Sequence, residues 1–238
     1  MGLRDPFSSI SHLLTAIWAL YVTVLMLRQS HRNSMKRFST FVYGLSMVCL
    51  YSASGLFHAL PISQEAHPLA FRFFQRLDMS AIYILIAGTN TPIIVMLLRG
   101  FPLRASICIM WMLAFSAVLV LWILEKPPHY VIVIISLSMG WIGILPMVYY
   151  YRAVGSWAMN YVWVGGILYS LGATCELTEW PENMYIPFRF GSHEVFHVFS
   201  SAGSFAFYFF ISRHVIPYSG PDHLEVPPEA RSDSTSPV

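Results

Sequence analysis

Residues 191–212 read GSHEVFHVFSSAGSFAFYFFIS, and this stretch decides the fold. From Val195 to Ser212 it carries no Asp, Glu, Lys or Arg over 18 residues, long enough to be a membrane-spanning helix. His193 and His197 stand at its start, one helical turn apart. An ionisable side chain within a bilayer is costly, and its presence there points to function. Two imidazoles at i and i+4 share a helix face and can reach one metal ion.

The rest of the chain repeats the apolar pattern. Of 238 residues, 56% are hydrophobic and 11% charged, against about 25% charged in a soluble domain. Further charge-free runs cover 6–27, 38–64, 79–98, 105–124, 127–151 and 153–175. With the first run they predict an all-α membrane protein, a seven-transmembrane-helix bundle in one domain over 1–213. The expected helices are about 10–27, 38–60, 77–98, 105–124, 129–151, 158–176 and 192–212, and Thr89 and Pro92 are expected to kink the third. These runs are apolar on all sides, so a barrel of alternating strands is not expected. The first run is read as a retained helix rather than a signal peptide, since it is rich in bulky residues such as Trp18 and Tyr21 and lacks a clear cleavage site. Residues 214–238, rich in Pro and Ser, predict a disordered tail. A net charge of +2 without a basic stripe implies no nucleic-acid partner. Cys49, Cys108 and Cys175 are unclustered and odd in number, which argues against a disulfide framework or a thiolate metal site.

Parity along seven crossings brings distant residues to one membrane face. Helix 2 ends where helices 3 and 7 begin. Ser54 and His58 close helix 2, Asp78 opens helix 3, and His193 and His197 open helix 7. All five are therefore expected at one depth. Ser54 and His58 are themselves an i, i+4 pair. His58, His193 and His197 would make a three-histidine metal site with a position open for water, and zinc suits such a donor set, with iron or nickel as alternatives. Asp78 would act through the water as general base, or ligate directly. Ser54 would orient a neighbour or the substrate. The alternative is that these groups only link helices through hydrogen bonds.

At these residues the chain resembles the hemolysin III family and the progestin and adipoQ receptors, which include the adiponectin receptors. The matching segments are Ser54-x3-His58, Leu77-Asp78-Met79-Ser80-Ala81-Ile82-Tyr83-Ile84-Leu85-Ile86-Ala87-Gly88-Thr89 with Thr91-Pro92, Gly165-Gly166-x2-Tyr169-x2-Gly172, and Phe190-Gly191-x-His193-Glu194-x2-His197. The resemblance implies a seven-helix bundle with zinc near one face, held by His58, His193 and His197, with Asp78 holding a water beside it. Through the similar alkaline ceramidases it implies hydrolysis of a lipid amide such as ceramide. Met79 stands where bacterial members usually have histidine and Asn90 where they usually have tyrosine, which bears on substrate preference rather than on the metal.

Other polar residues have weaker readings. Ser11-His12 resembles a Thr-His of the family, and His12 is either a hydrogen-bond partner within the site or an interfacial side chain. His193-Glu194-x2-His197 matches the protease string H-E-x-x-H, but Glu194 is rotated about 100° from His193 on a helix. Glu176 and Glu179 read as a solvated acidic pair, and His67, His129, His214 and His223 as loop or tail histidines without a role. Tyr149, Tyr150, Trp157 and Trp180 read as interface anchors. Arg4, Arg72, Arg76, Lys126 and Arg189 fall on the N-terminal side, and Arg28, Arg32, Lys36, Arg37, Arg99, Arg104, Arg152, Arg213 and Arg231 on the other. The positive-inside rule then puts the C-terminus in the cytoplasm, whereas the adiponectin receptors have the reverse arrangement. Three functions compete: a zinc hydrolase of a membrane lipid, a receptor or sensor in which zinc only staples helices, and a pore. The pore finds no charged lining in helices 4 and 5.

Overall fold

The computed structural model describes residues 3–124, 128–182, 184–186 and 188–220. Its helices are α1 (Pro6–Gln29), α2 (Ser34–Ala59), α3 (Pro68–Leu97), α4 (Gly100–Ile123), α5 (His129–Ile142), α6 (Met147–Thr178) and α7 (Ser192–Phe210). Five of them, with α7 counted through Val215, are long and apolar enough to cross a membrane. The bent pair α5 and α6 passes the same test as one further span. The protein is an integral, multi-pass helical bundle with five or six such spans. The one sheet among the described residues is a short antiparallel hairpin, β1 (Met184–Ile186) with β2 (Phe188–Phe190), between α6 and α7.

Local chemistry sets the helix ends. Pro6 and Pro68 occupy first-turn positions, where the missing N–H costs nothing. Asn33 caps α2 by accepting the Lys36 N–H at 3.0 Å. Leu60 turns extended ahead of Pro61, which disfavours helix in its predecessor. Helix α3 begins nine residues before the expected 77, because Arg72 and Arg76 lie on a helical extension rather than in a loop. There Arg76 donates to the carbonyls of Trp122 and Leu124 at the end of α4. The helix runs on through Pro92. The expected fifth helix to 151 is cut at Ile142, and the chain bends by 75° before Met147. Gly155, at φ 80°, interrupts α6, a backbone state open to glycine at low cost. The last helix extends past the expected 212 as a π-helical turn, Ile211–Val215, with Val215 and Ile216 buried. Lys36 clamps this end by donating to the carbonyls of Ile216 and Tyr218. The remainder of the expected tail, 221–238, lies outside the described residues.

Small residues let the helices approach closely, the usual device where lipid removes the hydrophobic drive between them. A Cβ on Gly44 of α2 would lie 2.3 Å from the Thr23 side chain of α1. Between α6 and α7, Gly172 faces Phe199 and Gly203 faces the Tyr169 ring. The Gly165-Gly166-x2-Tyr169-x2-Gly172 segment is thus a packing motif. Its tyrosine hydroxyl meets Ser204 Oγ at 2.7 Å, and Ser204 in turn meets the Tyr51 hydroxyl at 2.6 Å.

Candidate metal centre

The start of α7 is built by Glu194. Its Oε2 accepts the Gly191 N–H at 2.8 Å, closing the first turn, and its Oε1 accepts from Ser8 of α1 at 3.2 Å. Both carboxylate oxygens are used in starting the helix and tying it to α1, so this residue does not supply a protease-type base. One turn apart on the same helix, His193 and His197 turn toward His58 at the end of α2. His193 Nε2 lies 3.2 Å from His58 Nε2 and 3.1 Å from His197 Nε2. His58 and His197 are buried and His193 partly so.

The outer nitrogens show what these close approaches mean. His58 Nδ1 donates to Asp5 Oδ2 at 3.0 Å, and His193 Nδ1 to Glu176 Oε1 at 3.0 Å. A carboxylate only accepts, so in each neutral ring the proton is on Nδ1 and Nε2 carries a lone pair. Two lone pairs then face each other at 3.2 Å, with a third imidazole nitrogen beside them. A metal ion between them would remove that repulsion at all three atoms at once. Nitrogens on a tetrahedral zinc at 2.0–2.1 Å would lie about 3.3 Å apart, close to what is seen. The cluster fits a metal ion.

Around it the other expected residues assemble. Ser54 is buried beneath His58 and within hydrogen-bonding reach of Asp78. Asp78, Ser54, His193 and His197 together line one cavity of about 200 Å³. All five residues placed by parity therefore come to one site. His12 lines it too. Its ring stacks on His197 at 3.7 Å and 8°, so it is a site residue and not an interfacial one. Neither of its nitrogens has a hydrogen-bond partner among the described residues.

Three participants differ from expectation. Glu176 is not solvated: its side chain is 13% exposed and it accepts from both His193 and, at 3.2 Å, His129 Nε2. His129, expected to be without a role, is thus tied to the site, while Glu179 is exposed as expected. Asp5 was not anticipated at all. Burial pushes its carboxyl up, but hydrogen bonds from His58 and Arg4 more than offset this and hold it down at about 2. It is therefore charged at neutral pH and loses that charge only as pH falls from the ordinary carboxylate range toward 2. The parity argument held the signal for both acids. Asp5 precedes helix 1 and Glu176 ends helix 6, so each lies on the metal-bearing face.

From this group the cavity runs between α3, α5 and α6, past Ile82, Ile86, Leu137 and Val162 to Asn90 and Trp141. Asp78 to Asn90 is twelve residues of helix, or about 18 Å at 1.5 Å per residue. Its wall is apolar for most of that length.

A family model described as "Haemolysin-III related" matches residues 3–208. Among curated relatives, the chain is 30% identical over 212 residues to "Hemolysin-3" of Bacillus cereus, covering 88% of this chain and 91% of that protein. It is 31% identical over 168 residues to "Hemolysin-3 homolog" of Bacillus subtilis (strain 168), covering 71% and 73%.

Proposed function

The chain belongs to the haemolysin-III-related family, and from that premise we propose that it is a zinc-dependent hydrolase of a membrane lipid amide of the ceramide type. The observation that carries the reading is the apolar cavity leading away from the histidines and Asp78. A purely structural metal needs no such space, whereas a lipid amide needs a polar centre for its carbonyl and a dry channel for its chain. His58, His193 and His197, whose Nε2 atoms converge, would hold the ion. A bound zinc ion would supply Lewis acidity, polarising a carbonyl and lowering the pKa of a neighbouring water. Asp78 takes the proton from the attacking water as general base and returns it to the leaving amine. Ser54 keeps the Asp78 carboxyl aimed. The apolar wall excludes bulk water.

We also propose that the chain crosses the membrane seven times. The ion contact between His129 and Glu176 supports this, because it brings the start of α5 and the end of α6 to the same level. The 75° bend and the break at Gly155 then turn the chain back from the far side.

A structural role for the metal is the second reading. It is favoured by one observation: the ligands come from α2 and α7, far apart in sequence, so an ion would staple them. Changing Asp78 to Asn separates the two readings. The variant should keep its fold and one zinc while losing release of fatty acid from ceramide-like lipids. A wild-type protein with bound zinc and no turnover of any lipid amide would leave the staple.

A further inference from the structure

We infer that Asp5 and Glu176 are positioning residues of the metal centre, each locking one histidine ring so that its Nε2 faces the shared point; this rests on reading His58, His193 and His197 as the ligands. A free imidazole can carry its proton on either nitrogen, and rotation of the ring by half a turn replaces nitrogen by carbon at a given place. His58 and His193 are denied that freedom. Each donates Nδ1–H to a carboxylate oxygen at 3.0 Å, which fixes tautomer and rotation together. The third ring is held differently. His197 Nδ1 has no hydrogen-bond partner among the described residues, and its plane is set by the stack on His12.

Both carboxylates are themselves held. The oxygen of Asp5 that accepts from His58 also accepts from Arg4 Nε at 2.9 Å. Arg4 in turn donates to the Ile62 carbonyl at 3.1 Å and lies over the Phe57 ring. The oxygen of Glu176 that accepts from His193 also meets His129, the first residue of α5. The segment before α1 and the facing ends of α5 and α6 supply no ligand, yet they form the outer layer of the centre. The two locks differ in strength. Glu176 has a side chain 13% exposed and Asp5 one 36% exposed, so the Glu176 hydrogen bond sits in the drier surroundings and should matter more.

The test measures metal affinity, not turnover, in full-length protein in detergent. Zinc affinity is read by competition with a chromophoric chelator, and ligand geometry by the absorption bands of the cobalt-substituted protein. Asp5→Ala and Glu176→Ala are each expected to weaken zinc binding about 10–100-fold, the usual cost of removing such a partner, with Glu176→Ala the larger. Their cobalt bands should shift. Asp5→Asn and Glu176→Gln keep a carbonyl oxygen that accepts from Nδ1, and should recover most of the affinity. Gly44→Ala, which crowds Thr23 at a point on α2 well away from His58, should lower thermal stability and leave zinc affinity unchanged. If an alanine variant does not fold, Arg4→Gln and His129→Gln carry the test, since they release each carboxylate without removing it and should weaken zinc a few-fold. The inference is overturned if folded variants at 5 and 176 bind zinc as wild type does, or if the loss tracks thermal stability across all variants including Gly44→Ala. A wild-type protein that binds no transition metal overturns the ligand reading itself, a result distinct from the first two.

Discussion

Helices α3 and α4 are neighbours with similar apolar sequences and opposite situations. Of the most apolar window of α3, 72% of residues are buried; for α4 the figure is 22%. The difference runs through the whole bundle. On one side α1, α2, α3, α6 and α7 press together at glycines and share buried hydroxyls. On the other, α4 and α5 lean on α3, and α5 closes the cavity together with α3 and α6. The histidines and Asp78 stand on the tight side, and α5 supplies the loose side's share of the cavity wall, Leu137 included. On the proposed reading, the tight side holds the reacting centre and the loose side receives the acyl chain.

Substitutions on the two sides should separate these roles. The largest effect is expected from His58→Ala, His193→Ala or His197→Ala on the tight side. Each should take zinc content, measured by plasma mass spectrometry, from about one ion per chain to near zero and abolish lipid amide hydrolysis. Asp78→Asn should keep the zinc and slow turnover by roughly 10²–10⁴-fold, read from fatty-acid release. On the loose side, Leu137→Trp should fill the cavity wall. A cost of about 1–3 kcal/mol for overfilling corresponds to about a 10–100-fold loss of kcat/KM, and this should fall on long acyl chains while short ones are spared. The smallest effects are on stability alone. Gly44→Ala should cost about 1–3 kcal/mol in thermal or denaturant unfolding, because its methyl would enter the Thr23 side chain. Gly166→Ala meets nothing within 4 Å and should stabilise by up to about 1 kcal/mol through helix propensity. Equal outcomes for the two glycines would show that the close approach at Gly44 does not hold α1 against α2.

Much of the centre was legible in the chain because depth in a membrane is a one-dimensional quantity. Counting seven expected crossings puts Ser54, His58 and Asp78 level with His193 and His197, and the structure brings these side chains to one place. The outer layer was harder. Periodicity finds partners one turn apart on one helix, whereas Asp5 and Glu176 meet their histidines across the bundle. Glu176 and Glu179 look alike as a spaced pair, yet one faces the centre and the other faces out. Element boundaries failed where charge was taken as the boundary. The expected start near 77 leaves Arg72 in a loop, but α3 continues beyond the apolar zone from Pro68 and carries it. The run 127–151 is free of charge throughout, yet Gly143 and Pro146 break it, and those residues were the visible signal.

The first turn of α7 has a consequence for how related chains can vary. Positions 193 and 194 are adjacent letters of a protease-like string, but they answer to different constraints. Substitution at 193 must preserve an imidazole. At 194 the demand is for a side chain that accepts the Gly191 amide and the Ser8 hydroxyl at once, a joint between two helices rather than a reacting group.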